Sequence, residues 1–233
     1  MWGHFFGIGI VNPVDDFTAD NPASHPELLD ELARQFAAHQ FDLKFLMRSI
    51  LASRTYQLSS AQTHPSQNEP RLFARMAVKG LSGEQLFDSL AVATGYQERL
   101  EKGDPNRFIS TRSEFAARFS NASDKRTEYQ TSILQALALM NGKFTSDATN
   151  PAEMKTPPQT LTLIAVLDAP FLDTPAKKIE TLFLAALTRK PTPDERDRFV
   201  KYVERGGPDG DAKKALADVF WALLNSTEFV LNH

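Results

Sequence analysis

Short helix-capping patterns recur along this chain and constrain its fold more than any other feature. In the pattern Ser/Thr-x-x-Glu/Gln, the first and fourth side chains each accept a hydrogen bond from a backbone N–H at the start of a helix. The pattern occurs at 24–27 (SHPE), 82–85 (SGEQ), 132–135 (SILQ) and 192–195 (TPDE). Each copy precedes apolar residues at three- and four-residue spacings. Each therefore predicts the first turn of an amphipathic helix.

Asp42 and Asp211 stand where further helices would begin, and an aspartate in that position caps the first turn. We predict helices over about 25–38, 42–54, 82–94, 132–142, 161–170, 179–187, 192–206 and from about 211 onward. The first two should form an αα-hairpin. Segment 161–170 (LTLIAVLDAP) is rich enough in β-branched residues to be compatible with a strand as well. The predicted fold class is an irregular all-α, multi-helix domain with long ordered loops.

The 233 residues are enough for one domain with a sizeable core. Polar residues and prolines predict a surface loop over 59–69, and residues 101–128 are charged with little periodicity. The stretch 145–158, rich in Pro, Thr and Asn, is the strongest signal for a boundary between subdomains. We predict a single helical domain over 1–233 with a subdomain boundary at 145–158.

Composition excludes several kinds of site. The absence of cysteine rules out disulfides, thiolate metal sites, cysteine nucleophiles and covalent c-type haem attachment within these residues. A net charge of −3 predicts no broad attraction to nucleic acid or to an anionic membrane. No apolar run has the length of a membrane-spanning helix, and the first residues lack the pattern of a signal peptide.

The opening segment, MWGHFFGIGIVNPVDDF, contains the candidate functional residues. His4, Asp15, Asp16 and His25 combine imidazole and carboxylate groups, which together can bind zinc, manganese or iron. Their spacing matches no metal motif, and His25 also fits the first turn of a capped helix. We therefore predict no metal site, and we keep these four residues as candidates for binding a ligand.

Trp2 is the fifth candidate functional residue, because it lies in an aromatic cluster with Phe5 and Phe6. Flat aromatic rings can form a platform for a ligand such as a sugar. The alternative is that this cluster pins the N-terminal segment into the core.

Two other patterns allow functional interpretations. The predicted pair of helices over 24–54 resembles a DNA-binding helix-turn-helix, with Lys44, Arg48 and Arg54 on its second helix. The charged stretch 189–198 (RKPTPDERDR) is most simply a solvated turn and first helical turn. No nucleophile, base or phosphate-binding motif is coherent enough to predict an enzyme.

Longer motifs carry a family resemblance. They are MWGHFFGIGIVNPVDDF, SHPELLDELARQF, FDLKFLMRSILASRTYQLSS, LQALALMNGKF, TLFLAALTRKPTPDE and WALLNSTEFV. In this order they resemble the C-terminal domain of planctomycete cytochrome-type surface proteins, the family called domain of unknown function fifteen-fifty-three. Family members often have Arg between the glycines at the position of Ile8, so no guanidinium role transfers to this chain.

The resemblance implies a context. Family members are typically large exported proteins whose upstream domains often carry a c-type haem. It implies that this chain is a C-terminal fragment, located in the periplasm or at the cell surface. Its expected partners are the upstream domains of the same polypeptide, and it should hold no cofactor of its own.

These observations lead to three functional hypotheses. The first is a structural or partner-docking module. The second is part of an enzyme that degrades extracellular polysaccharide, with a site near His4 and Asp15/Asp16. The third, and least favoured, is DNA binding.

Overall fold

The computed structural model describes residues 1–97, 111–119, 142–150 and 160–232, and it confirms the all-α fold class. The α-helices are α1 (Trp2–Phe6), α2 (Pro26–Ala38), α3 (Leu43–Leu51), α4 (Gly83–Thr94), α5 (Thr111–Phe119), α6 (Lys143–Thr149), α7 (Thr162–Asp168), α8 (Pro175–Leu187), α9 (Pro193–Glu204), α10 (Ala212–Leu224) and α11 (Thr227–Val230). Short 3₁₀ helices span Pro65–Asn68, Pro70–Leu72 and Gly207–Asp209. The two-residue strands β1 (Lys79–Gly80) and β2 (Leu231–Asn232) make up a two-stranded sheet.

The described chain divides into two compact units. Unit 1 contains residues 1–80 and Asn232, and unit 2 contains the described residues from 81 to 231. The predicted boundary at 145–158 begins inside α6, and residues 151–158 lie outside the described part of the chain. That subdomain boundary stays a prediction.

Unit 1 contains the predicted αα-hairpin of α2 and α3. Asp42 caps α3 as predicted, since its carboxylate accepts a hydrogen bond from the backbone N–H of Lys44 at 2.8 Å. The helix ends at Leu51, three residues before the predicted Arg54. None of the residues of α2 is fully buried, although its sequence is strongly amphipathic. Unit 1 therefore covers the apolar face of this helix only partly.

The predicted capping box at Ser24 is wrong. The N-cap of α2 is His25, whose side chain makes no capping hydrogen bond. Ser24 instead binds the preceding loop, because its backbone N–H and its hydroxyl both donate to the carbonyl of Ile10, at 2.8 and 3.1 Å. The Ser24 hydroxyl, which the local pattern assigned to the helix start, therefore makes a tertiary hydrogen bond instead.

Unit 2 confirms the other described caps. Ser82 and Gln85 form a reciprocal capping box at α4, and Thr192 and Glu195 do so at α9. Asp211 caps α10 through hydrogen bonds from the N–H groups of the first turn. The fourth pattern, at 132–135, lies outside the described residues.

The core of unit 2 is built by helices that these caps position. Helices α8, α9 and α10 pack against one another, and α4 and α7 pack against α8. The largest fully buried side chains include Phe183 of α8 and Phe220 of α10. Segment 161–170 forms the helix α7 and not a strand, with Leu163 and Val166 buried. Within the described residues, no helix combines the length and the apolar character needed to span a membrane.

Candidate functional site

The N-terminal segment folds back on itself immediately after α1. Gly7 ends this helix in a left-handed conformation with φ of 83°, and its N–H donates to the carbonyl of Gly3 at 2.8 Å. A Cβ atom on Gly9 would lie against the Val11 carbonyl oxygen and 2.7 Å from Cγ1 of Val14. Position 9 therefore requires glycine, because the chain approaches itself too closely there to leave room for a Cβ atom.

The aromatic residues of α1 belong to the core of unit 1. Trp2 stacks on Phe6 with ring centroids 4.3 Å apart, and both rings meet Phe73 edge-on at 5.3 and 5.6 Å. Trp2 is 9% exposed and Phe6 only 2%. The cluster therefore pins the N-terminal segment into unit 1. Its stacked and buried rings offer no open platform to a sugar.

Lys79 is a buried side chain that sequence reasoning missed. It is 8% exposed, and its ammonium group donates a hydrogen bond to the carbonyl of Phe5 in the last turn of α1. A cation is favourable there because the carbonyls at a helix C-terminus carry partial negative charge. A single lysine between apolar residues gives no sequence signal for burial, since most lysines are solvated.

An apolar groove lies between the N-terminal segment and the hairpin of α2 and α3. Helix α2 contributes Leu29, Leu32, Ala33 and Phe36, α3 contributes Leu46 and Ile50, and the remaining walls come from residues between Met1 and Phe17. All fourteen lining residues are apolar or glycine, and the cavity volume is about 250 Å³. The indole Nε1–H of Trp2 is buried beside this groove without a hydrogen-bond partner.

The rim of the groove combines exposed apolar side chains with carboxylates. Val14 and Phe17 line the groove and are 61% and 67% exposed. Asp15 and Asp16 lie between them in sequence and are exposed. Two of the candidate residues are thus found at the rim, and a third, Trp2, lines the groove itself.

The two candidate histidines do not line the groove. His4 is exposed on α1 with its ring edge-on to Phe5, at 5.2 Å between centroids. The Nδ1 atom of His25 lies 3.1 Å from the Ser24 hydroxyl, and its ring lies 5.6 Å from that of Phe73. Among the described residues, no three His, Asp or Glu side chains are close enough together to hold a metal ion.

A second cavity in unit 1, of about 490 Å³, is lined by Phe6, Phe73 and the loop over 67–78. Its polar side chains hold this loop together. Gln67 closes the capping box of the 3₁₀ helix that His64 begins, and Arg75 donates to the carbonyls of Gln67 and Ser60. These hydrogen bonds account for Gln67 and Arg75 without a ligand.

The stretch 189–198 contains the predicted first helical turn and is mostly exposed, but Arg189 and Glu195 belong to a half-buried ion-pair cluster in unit 2. The guanidinium of Arg189 donates to both carboxylate oxygens of Glu195 at 2.8 and 2.9 Å, and to both of Glu228 at 2.6 and 2.7 Å. Arg189 holds the pKa of Glu195 at about 2, and the two carboxylates raise the pKa of Arg189. The cluster joins the segment after α8 to α9 and α11, so its geometry indicates a structural role.

The hypothesis of DNA binding depends on the outer face of α3. Lys44 and Arg48 are exposed and lie four residues apart, on one side of that helix. Within residues 1–80 of the same unit, eight Asp and Glu residues stand against seven Lys and Arg residues. Unit 1 therefore carries no excess of positive charge that would attract a phosphate backbone.

Comparison with known proteins adds a family and nothing more specific. The family described as PSD1, protein of unknown function (DUF1553), matches residues 1–114 and 110–203. No curated protein matches the chain, and no solved structure does.

Proposed function

This chain belongs to the PSD1 family of proteins of unknown function, and on that basis we propose that it is a non-catalytic helical docking module. The groove of unit 1 receives an apolar segment of a protein partner. The partner is supplied by upstream domains of the same exported polypeptide, at the cell surface or in the periplasm. Any c-type haem belongs to those domains, because this chain has no cysteine to attach one. The family resemblance described above supports this context.

The composition of the groove is the observation that carries the proposal. Catalytic pockets combine apolar walls with a few convergent polar or titratable groups that position and transform a substrate. This groove has only apolar and glycine residues on its walls. Such a surface can bury an apolar side chain of a partner, but it offers no acid, base or nucleophile. Binding is therefore favoured over polysaccharide hydrolysis.

The exposed rim provides a second argument for docking. Phe17 is 67% exposed beside a groove that already contains apolar walls. Full burial of a phenylalanine side chain stabilises a complex by roughly 1.5–3 kcal/mol. Contiguous apolar surface of this kind marks binding sites on soluble domains. A partner that covers Phe17 and inserts a side chain into the groove would gain this energy.

A synthetic amphipathic peptide tests the proposal. It would carry leucines at helical spacing and an uncharged polar face, since apolar anchors on a helix are a common way to fill a groove. The chain has two tryptophans, Trp2 and Trp221. In a Trp221→Phe background, Trp2 becomes the reporter of the groove, and we expect its fluorescence to change saturably with peptide concentration.

Two matched variants show whether the peptide binds in the groove. Phe17→Ser removes an exposed ring from the rim, and Phe171→Ser removes a ring that is 73% exposed and does not line the groove. We expect Phe17→Ser to weaken binding about five-fold or more, because covering the exposed 67% of Phe17 is worth about 1–2 kcal/mol. Phe171→Ser should leave the affinity unchanged. Equal effects of the two variants, or no binding by the parent chain, would refute the docking proposal.

A further inference from the structure

The acidic residues beside the groove indicate which partner it selects. Residues 1–36 provide most of the groove walls, and their side chains include six carboxylates and one Lys or Arg. The carboxylates belong to Asp15, Asp16, Asp20, Glu27, Asp30 and Glu31. Arg34 is the only Lys or Arg among these residues, and its guanidinium donates to Glu31 at 2.6 Å, which lowers the pKa of that carboxyl. Glu27 and Glu31 lie two positions before and after Leu29, on the side of α2 away from the groove, so Asp15 and Asp16 are the carboxylates at the approach to the groove.

The nearest basic residues of the hairpin do not neutralise this approach. Leu46 and Ile50 are the residues of α3 that line the groove; Lys44 and Arg48 lie two positions before and after Leu46, and Arg48 also lies two positions before Ile50. At about 100° per residue, a separation of two positions places a side chain roughly opposite on the helix. The cations of α3 therefore point away from the wall that Leu46 forms.

We infer that the groove binds a peptide segment with an apolar centre flanked by lysine or arginine residues. This inference rests on the proposed docking function and specifies the chemistry of its partner. The apolar side chain would fill the space beside Trp2, and the flanking cations would face Asp15 and Asp16 at the rim. Complementary charge across an interface increases the rate of association and disfavours partners of the wrong sign.

The same charges argue against an anionic membrane as the occupant. An apolar groove can also receive a lipid chain, and anionic headgroups would then surround its mouth. Asp15 and Asp16 are both exposed, and the segment from Val14 to Phe17 contains no cation that would compensate their charges. Like charges would repel such headgroups, whereas a basic peptide is attracted.

Three peptides with one apolar centre and different flanks test the inference. Their flanking residues would be lysine, glutamine or glutamate, and their affinities would be measured with the full chain by the fluorescence of Trp2 in the Trp221→Phe background. An exposed ion pair contributes about 0.2–1 kcal/mol, so two or three pairs should make the lysine peptide about ten-fold tighter than the glutamate peptide. The difference should shrink between about 10 mM and about 1 M salt, as the Debye length falls from about 30 Å to about 3 Å.

Charge-removing variants locate the effect. Asp15→Asn with Asp16→Asn should reduce the preference for lysine over glutamate flanks several-fold. The control pair, Asp194→Asn with Asp197→Asn, removes the same charge from exposed positions of α9 and should keep the preference.

The outcomes separate the two proposals. Equal affinities for all three peptides, or tighter binding of the glutamate peptide, would overturn the inference and leave the docking function intact. Binding of none of them would overturn the docking function. Sedimentation of the chain with vesicles of phosphatidylserine and phosphatidylcholine, blocked by the glutamine peptide, would assign the groove to lipid and also overturn the inference.

Discussion

Replacement of Glu195 by glutamine should destabilise the chain by an amount that depends on pH. The substitution removes the charge that faces Arg189 while keeping the shape of the side chain. The capping box at Thr192 should survive, because Gln85 occupies the equivalent position in the capping box of α4. Glu195→Gln therefore isolates the ion pair from the helix cap.

The expected magnitude follows from the pKa of Glu195. Arg189, with a smaller contribution from the hydrogen bonds of Thr192, lowers this pKa from 4.5 to about 2, and at about 1.4 kcal/mol for each pH unit the whole shift corresponds to about 3.5 kcal/mol. The side chains of Arg189 and Glu195 are 34% and 28% exposed, so solvent screens the pair. We expect a loss of about 1–2 kcal/mol in the free energy of unfolding at pH 7.

The pH dependence gives the sign of the effect. A carboxyl whose pKa is lower in the folded state contributes its stability in full above its ordinary pKa of 4.5. This contribution is lost as the pH falls from 4.5 through about 2, because the folded state then takes up the proton as well. The difference between parent and variant should thus be constant near neutrality and disappear towards pH 2.

Urea denaturation followed by circular dichroism at several pH values measures this difference. Asp194→Asn is the matched control, because Asp194 is exposed in the same first turn of α9 and makes no bond to Arg189. It should cost clearly less than Glu195→Gln at pH 7. If both variants cost the same, or if the cost of Glu195→Gln does not change with pH, the ion pair does not stabilise unit 2 as argued.

Two further predictions concern single hydrogen bonds, one in each unit. Lys79→Met should lower the free energy of unfolding by about 1–3 kcal/mol, since it leaves the Phe5 carbonyl without the buried ammonium group. The control Lys177→Met, at an exposed position, should have little effect in the same urea titration. Equal losses in the two variants would contradict the role given to Lys79. Tyr202 donates to Asp218 at 2.6 Å, and this bond raises the pKa of Tyr202 to about 12. Tyr202→Phe should therefore lower the free energy of unfolding by about 0.5–1 kcal/mol below pH 10. In thermal melts this difference should vanish as the pH rises from 10 through 12, because Tyr202 of the folded parent then ionises. A difference that persists above pH 12 would contradict the assignment.

The starts of most described helices could be predicted because their signals are local. Ser82 with Gln85, and Thr192 with Glu195, bond to backbone groups within three residues of themselves. Such bonds depend little on the rest of the fold. Ser24 shows the limit of this reasoning, because the loop at Ile10 offered its hydroxyl a partner fourteen residues away.

Of the candidate site, the sequence indicated the segment but not its arrangement. Trp2, Asp15 and Asp16 stood out by residue type, and they lie in or beside the groove. His4 and His25 stood out for the same reason and do not line it. Residue type reports what a side chain can do, whereas its neighbours depend on how distant segments fold together.

The sequence by itself determined an all-α chain with amphipathic helices, because capping and periodicity act over a few residues. Only the tertiary structure decided that Lys79 would be buried against α1, and that Arg189 would bind Glu228 thirty-nine residues away. It also decided that the hairpin would leave an apolar groove uncovered beside Trp2. Each of these depends on segments remote in sequence meeting in space, and no local pattern of residues encodes which segments meet.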